Sequence, residues 1–180
     1  MKPRIDPFAP ELLKPASYVL RLGQRFARWK PTTTPLRPWA EVVDDSALVY
    51  VETAREIELT PGELILANTY ERLALSPSVA GILSTLSHLA RLGLTVTSGS
   101  TWVNPGFGET EPTALTLEIS NVNRVPIVLD SGMPVCHLAF AEVSGEVRPR
   151  GPLAKSIYDG SKSPSGPRLF EEYQFLRKLK

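Results

Sequence analysis

The chain has 180 residues, 42% of them apolar and 22% charged, enough to bury one core and too apolar for disorder throughout. Lys and Arg number 20 against 19 Asp and Glu, and a net charge of +1 excludes a nucleic-acid binder that works through bulk charge. The single Cys136 excludes an internal disulfide or a thiolate zinc cluster and suits a reducing cytosol.

No apolar run approaches the ~20 residues of a membrane span. The opening MKPRIDPFAPELL lacks the apolar core of a signal peptide. A cytoplasmic protein with neither membrane nor nucleic acid as partner is expected. Proline is the unusual residue: 17 of 180, about twice the usual ~5%. Each proline removes a backbone donor and interrupts helix interiors. The count favours short strands joined by rigid turns over a helical bundle.

Residues 1–15 read as an irregular, proline-broken arm. Ser17 to Gly23 alternates and predicts a strand. Residues 30–40, with Pro31, Pro35 and Pro38, read as a loop. Ala47 to Glu52 and Glu56 to Leu59 are short strands, the second closed by the turn Thr60-Pro61-Gly62-Glu63. Leu64 to Leu75 holds two further apolar stretches. From Val79 to Leu92, the residues Val79, Ile82, Leu83, Leu86, Leu89 and Ala90 recur at three- and four-residue spacing. That spacing predicts an internal helix with Gly93 as its C-cap. Leu94 to Thr97 returns to β character. Ala114 to Ile119 alternates, with Leu115, Leu117 and Ile119 on one face. Pro126 to Leu129 and Val135 to Val143 complete the strands.

From Ser144 to Pro167 the composition shifts to Gly, Pro, Ser and Lys, which reads as a surface arm. Arg168 to Lys180 has helical spacing, with glutamates early and basic residues late. The expected organisation is an all-β domain over 1–143, a sandwich or barrel of jelly-roll type. One internal short helix and a C-terminal helix complete it, the latter within a dependent arm over 144–180.

No phosphate-binding glycine loop, HExxH or GxSxG motif occurs. One cysteine cannot supply the HxE and PCxxC set of zinc-dependent deaminases. His88 and His137 are too few for a histidine-rich metal site, so none is expected. Glu118 lies on the polar face of an otherwise apolar strand, where periodicity alone makes it a solvated glutamate. Arg91, at a predicted helix end, complements the helix dipole. Ser87 and His88 are ordinary helix polar residues, and Asn104-Pro105-Gly106-Phe107-Gly108 is a turn. The residues alone define an all-β domain without an assigned activity.

Six segments in order change that weighing. They are Ile5-Asp6-Pro7-Phe8 with Leu12 to Gly23, Pro61 to Glu71, Ser87-His88-Leu89-Ala90-Arg91-Leu92-Gly93-Leu94, Asn104-Pro105-Gly106-Phe107, Leu115 to Asn121, and Gly132 to Phe140. Together they resemble the dCTP deaminase branch of the dUTPase superfamily over nearly the full length. The resemblance implies a distorted jelly-roll, or β-clip barrel, assembled as a homotrimer with deoxynucleotide sites at subunit interfaces. It implies deamination without a metal cofactor, with Mg2+ as a companion of the nucleotide phosphates. Glu118 matches the glutamate that activates water and shuttles protons to ammonia, a role suited to a carboxyl whose pKa is raised. Ser87 and Arg91 match residues that organise water and base. The backbone from Ser98 to Thr101, including Ser100 and Thr101, matches the segment that reads the base edge.

The departures cluster on the phosphate side. Leu86 stands where the resembled family has a phosphate-binding arginine, and leucine cannot replace that charge-assisted contact. His88 replaces a phosphate-facing serine, Asn104 an aspartate that holds the sugar hydroxyl, and Val19 another aspartate. Residues Glu109-Thr110-Glu111-Pro112 form an insertion, and the lid keeps Gly160-Ser161-Lys162 and Gly166-Pro167 without the usual Tyr and Gln. His88, Arg72 and Lys162 are the cations available as replacements. The leading expectation is deamination of a cytosine deoxynucleotide, dCTP to dUTP in type. A non-catalytic nucleotide-binding protein and a dUTP diphosphatase are the alternatives, and Asn104, a poor base, argues against the last.

Overall fold

The computed structural model describes residues 3–39, 48–51, 54–144, 157–158 and 160–179. Among these, twelve strands follow in chain order: β1 (Arg4–Asp6), β2 (Leu13–Lys14), β3 (Ser17–Trp29), β4 (Leu48–Val51), β5 (Glu56–Leu59), β6 (Leu64–Ala74), β7 (Val79–Thr85), β8 (Leu94–Thr95), β9 (Trp102–Val103), β10 (Thr113–Asn121), β11 (Ile127–Asp130) and β12 (Pro134–Glu142). Helix α1 (Ser87–Arg91) separates β7 from β8, and α2 (Leu169–Tyr173) runs into a 3-10 turn over Gln174–Leu179. No helix among the described residues is long and apolar enough to cross a membrane.

Every strand pair is antiparallel, and one curled sheet runs β8-β10-β6-β3-β12-β7-β9. A separate ribbon pairs β5 with β11. The all-β expectation therefore holds. The 13-residue β3 makes the curl possible, because its two ends serve different neighbours. Tyr18–Arg21 pairs with β12, whereas Leu22–Arg28 pairs with β6 and Phe26–Trp29 with β4. Inside the curl lies one core, with Tyr18, Leu20, Leu22, Phe26, Ile65, Leu73, Leu117 and Ile119 all at most 1% exposed. At ~25 cal/mol per Å2 of apolar surface buried, this core is the principal source of stability.

A strand that changes neighbours must break its ladder, and β6 repairs the break with side chains. Between the pairs Leu22–Thr69 and Phe26–Ala67 the register shifts. The Arg25 N–H there donates to Asn68 Oδ1 at 2.9 Å. Gly23 is required at this point, since a Cβ would lie 2.5 Å from the Asn68 side chain. The Arg21 N–H donates to Glu71 Oε2 at 2.8 Å, and Arg21 Nε donates to Glu71 Oε1 at 2.6 Å. On the opposite edge β10 has its own register shift between Ala114 and Thr116. The Leu115 N–H there donates to Thr69 Oγ1, which donates in turn to the Glu71 carbonyl. Thr69 and Glu71 are both wholly buried.

The helix expected over Val79 to Leu92 is a correction. Residues Val79–Thr85 form β7, paired along its length with β12, and only Ser87–Arg91 is helical. The apparent three- and four-residue spacing arises where the apolar residues of a strand and of a one-turn helix are read as one series. Gly81 has a strand reason to be glycine, because a Cβ would lie 2.9 Å from Leu138 Cδ1 and 3.1 Å from Val103 Cβ. The predicted strand from Ser17 runs on to Trp29, and the two stretches expected over Leu64 to Leu75 are one strand, Leu64–Ala74. Residues 30–39 are loop, as expected. Of the arm expected over 144–180, residues 145–156, 159 and 180 lie outside the described residues.

Arg21→Ala leaves the Glu71 carboxylate buried without its cation, and a loss of about 3–5 kcal/mol in urea unfolding is expected. Thr69→Val strands the Leu115 N–H and should cost about 1–3 kcal/mol, whereas Thr69→Ser should cost less than half as much. Burial, with a smaller contribution from Glu71, pushes the Cys136 thiol up to about 12. Native protein at pH 8 should therefore leave Cys136 unmodified by iodoacetamide, and urea-unfolded protein should be alkylated in full.

Candidate active site

Glu118 lies midway along β10, opposite Leu66 of β6. The strand alternates strictly: Leu115, Leu117 and Ile119 are buried, while Thr116, Glu118 and Ser120 are half-buried on the other face. That second face also carries a small apolar cluster of Ala27, Leu48 and Leu66 with Trp29. A carboxyl there loses part of its hydration, and this desolvation raises the Glu118 pKa against the opposing pull of its own backbone N–H. Glu118 is therefore not the freely solvated glutamate that periodicity alone suggests. A raised carboxyl exchanges protons nearer neutral pH than a free one.

The segment between β8 and β9 is held against this glutamate. The Ser98 N–H donates to the Glu118 carbonyl at 3.1 Å, and Ser98 Oγ donates to the same oxygen at 3.0 Å. Beyond it Ser100 and Thr101 are exposed, and the Thr101 carbonyl accepts the Leu83 N–H at 2.7 Å. The chain thus returns to β7 after presenting a short exposed backbone next to β10. Sequence reasoning misses the side chains of Ser98 and its partners Thr95 and Ser120. The available signal is the alternation itself, which puts Ser120 on the Glu118 face.

Helix α1 presents Ser87, His88 and Arg91 to the exterior, all exposed. No side chain of the three makes a hydrogen bond or ion pair with another described residue. The helix is seated by Leu89, which is buried, and by Leu86, which packs on the main core. Leu86 therefore has a structural duty where the resembled family has an arginine. Gly93, at φ +78°, ends the helix, and its carbonyl accepts the Val122 N–H at 2.8 Å. This fastens α1 to the far end of β10. Within one chain, however, no hydrogen bond or ion pair among the described residues joins Ser87 or Arg91 to Glu118.

Asn104 is exposed, and its carbonyl accepts the Phe107 N–H in the turn that follows β9. The predicted insertion continues from that turn, with Glu109 N–H donating to the Gly106 carbonyl. Lys162 is exposed. Its backbone carbonyl accepts from Arg25 Nη1, which also donates to Ser163 Oγ at 3.1 Å. The Gly160 N–H donates to Thr113 Oγ1 at 3.0 Å. The segment carrying Lys162 is thus tied to β10 at one end and to the bulge of β3 at the other, two strands apart. Arg25, on which that tie depends, is a further residue that sequence reasoning misses. Among the described residues no group of three or more His, Cys, Asp or Glu could hold a metal ion.

The structure is a curled antiparallel β fold with a half-buried carboxyl on the face of β10 away from the main core. Among solved structures, dCTP deaminase from Agrobacterium tumefaciens matches with a TM-score of 0.59 at 22% identity, covering 79% of this chain and 44% of that one. The dUTPase of Streptococcus mutans matches with a TM-score of 0.50 at 14% identity, covering 79% of this chain and 96% of that one. Both likenesses concern the fold. In sequence, the family model described as dCTP deaminase-like matches residues 2–143. A "dCTP deaminase, dUMP-forming" of Acidothermus cellulolyticus is 37% identical over 172 residues, 94% of this chain and 88% of the relative. One of the same description from Methanosphaerula palustris is 30% identical over 176 residues, 97% and 91% respectively. The chain belongs to the dCTP deaminase-like family.

The Glu118 shift sets a stability test. A carboxyl whose pKa is higher folded than unfolded binds its proton more tightly in the folded state. Its contribution is most favourable below the unfolded pKa and is lost as pH rises through the folded one. Glu118→Gln, which stays neutral, should melt close to wild type at pH 4 and above it at pH 8. Equal melting temperatures at both pH values would contradict the desolvated carboxyl.

Proposed function

We propose that the protein is a hydrolase that deaminates dCTP, with Glu118 as the proton-transferring group. The observation that carries this reading is a carboxyl held half-buried, with a raised pKa, beside an exposed backbone segment pinned to its own strand. Water adds to C4 of cytosine as Glu118 takes one of its protons. Glu118 hands that proton to N3, then carries the proton of the new 4-hydroxyl to the 4-amino nitrogen; the C4–N bond breaks, ammonia leaves, and C4 becomes the carbonyl of a uracil that keeps its N3–H. The balance is dCTP plus water giving dUTP plus ammonia. A poised carboxyl acting first as base and then as acid contributes typically about 10²–10⁴-fold to such a step.

Ser87 and Arg91 are assigned to water and base, and Ser100 and Thr101 to the base edge through their backbone. His88, Asn104 and Lys162 are assigned to sugar and phosphates. Mg2+ would arrive on the triphosphate, held by phosphate oxygens. Exposed Ser87 and Arg91, far along the chain from Glu118 and unpaired among the described residues, favour a site completed by a second subunit. The apolar surroundings of α1 support the same reading, with Leu92, Val122 and Val125 all more than half exposed. A homotrimer with shared sites accounts for both features.

The relatives are named as forming dUMP, which requires a further cleavage between phosphates. Asn104 weighs against that second step in this chain, because an amide cannot serve as a base for the attacking water. Purified protein with dCTP and Mg2+ should release one ammonia per nucleotide and accumulate dUTP. Glu118→Gln should lower ammonia release at least ~10²-fold with the assembly intact. Asn104→Asp should add dUMP and pyrophosphate to the products. Absence of ammonia release from dCTP by wild-type protein would contradict the assignment.

A further inference from the structure

Three hydroxyls meet beside Glu118. Thr95 and Ser120 are direct cross-strand partners in the β8–β10 pair, so their side chains share a face. Glu118, two residues before Ser120, shares that face. Ser98 joins them. Its Oγ lies 3.0 Å from the Glu118 carbonyl oxygen, 2.7 Å from Ser120 Oγ and 3.0 Å from Thr95 Oγ1.

A serine hydroxyl has one proton to donate and two lone pairs to accept with. A carbonyl oxygen only accepts, so the Ser98 proton goes to Glu118. Both remaining contacts must then be donated to Ser98, one by the Ser120 hydroxyl and one by the Thr95 hydroxyl. One backbone carbonyl thereby fixes the direction of every proton in the trio. Ser120 and Thr95, their protons committed to Ser98, offer outward nothing but lone pairs. No other described residue bonds either hydroxyl.

We infer that Ser98, acting through Ser120, is a specificity-determining residue: it makes the wall beside Glu118 purely hydrogen-bond-accepting, which admits the 4-amino group of a cytosine nucleotide and disfavours the 4-oxo group of a uracil nucleotide. This rests on the proposal that Glu118 faces a pyrimidine at C4. Residues two apart on a strand are separated by about 6.6 Å. That Cα spacing puts both side chains within reach of one amino nitrogen, which can hydrogen-bond to each at about 3 Å. The amino group has two protons, one for the carboxylate and one for Ser120 Oγ. In the deaminated product an oxygen faces the same lone pairs, so the wall that favours the substrate also promotes release of the product.

The test compares the KM for dCTP with the inhibition constant for dUTP, in wild type, Ser98→Ala, Ser98→Thr and Ser120→Ala. Ser98→Ala keeps the 3.1 Å bond from its own N–H to the Glu118 carbonyl, so the segment stays seated. It frees Ser120 to turn its proton outward, and the preference for dCTP over dUTP should fall about tenfold. Ser98→Thr, which keeps the hydroxyl, should restore it, and Ser120→Ala should lose it. A merely structural role would weaken both nucleotides equally. An unchanged ratio in folded Ser98→Ala and Ser120→Ala, or parallel loss for both nucleotides, overturns the inference while leaving deamination standing. Protein that binds neither nucleotide overturns both. Protein that binds dCTP without releasing ammonia overturns the role of Glu118, and calorimetric dissociation constants for the same two nucleotides then decide the trio by the same ratio.

Discussion

The structure depends on four adjacent residues of β6. A sheet that curls must let its strands slip register, and each slip leaves backbone groups without ladder partners. Buried groups of that kind cost about 1–3 kcal/mol each. Asn68, Thr69 and Glu71 supply the missing partners, to Arg25 and Arg21 on one side and to Leu115 on the other. The wholly buried Glu71 is tolerable only because Arg21 faces it, and the same guanidinium lies 4.3 Å from the centre of the Tyr70 ring. Two bulges on opposite flanks are thus repaired from one strand. Glu118 stands farther along β10 from the second bulge, so the repair also sets the phase of the face that carries the chemistry.

The fold class is legible in the sequence because alternation and turn residues are local signals. Ala114 to Ile119 and the Thr60-Pro61-Gly62-Glu63 turn can be read directly, and both stand in the structure. The Val79–Leu92 stretch misleads because a period of three to four arises as easily from a strand followed by one helical turn. What decides between the two is the neighbour β12, and that is not a local property. Asn68, Thr69 and Glu71 fall within a segment carrying the family resemblance. Their duty, to complete the ladders of other strands, becomes visible only once register is known.

The candidate site is legible in a different measure. Resemblance singles out Glu118, and the structure adds the physical reason a carboxyl there is unusual: desolvation on a face shared with Leu66 and Trp29. Leu86, a departure on the sequence, is explained by its packing against the core. Arg25 and the Ser98 trio escape the sequence because each gains meaning from a contact with a distant part of the chain, Arg25 with Ser163 and Ser98 with Ser120. The proline-rich loop and lid belong with these departures. The described part of the C-terminal segment is tied to the sheet at Thr113 and Arg25.

The central claim is that β10 presents Glu118 to C4 of a cytosine nucleotide. The most direct measurement is a crystal structure of the Glu118→Gln variant with dCTP bound. The account predicts the 4-amino nitrogen within hydrogen-bond distance of both the side-chain amide at position 118 and Ser120 Oγ, with α1 of a neighbouring subunit closing over the ligand. A nucleotide bound with its base away from β10 would contradict it.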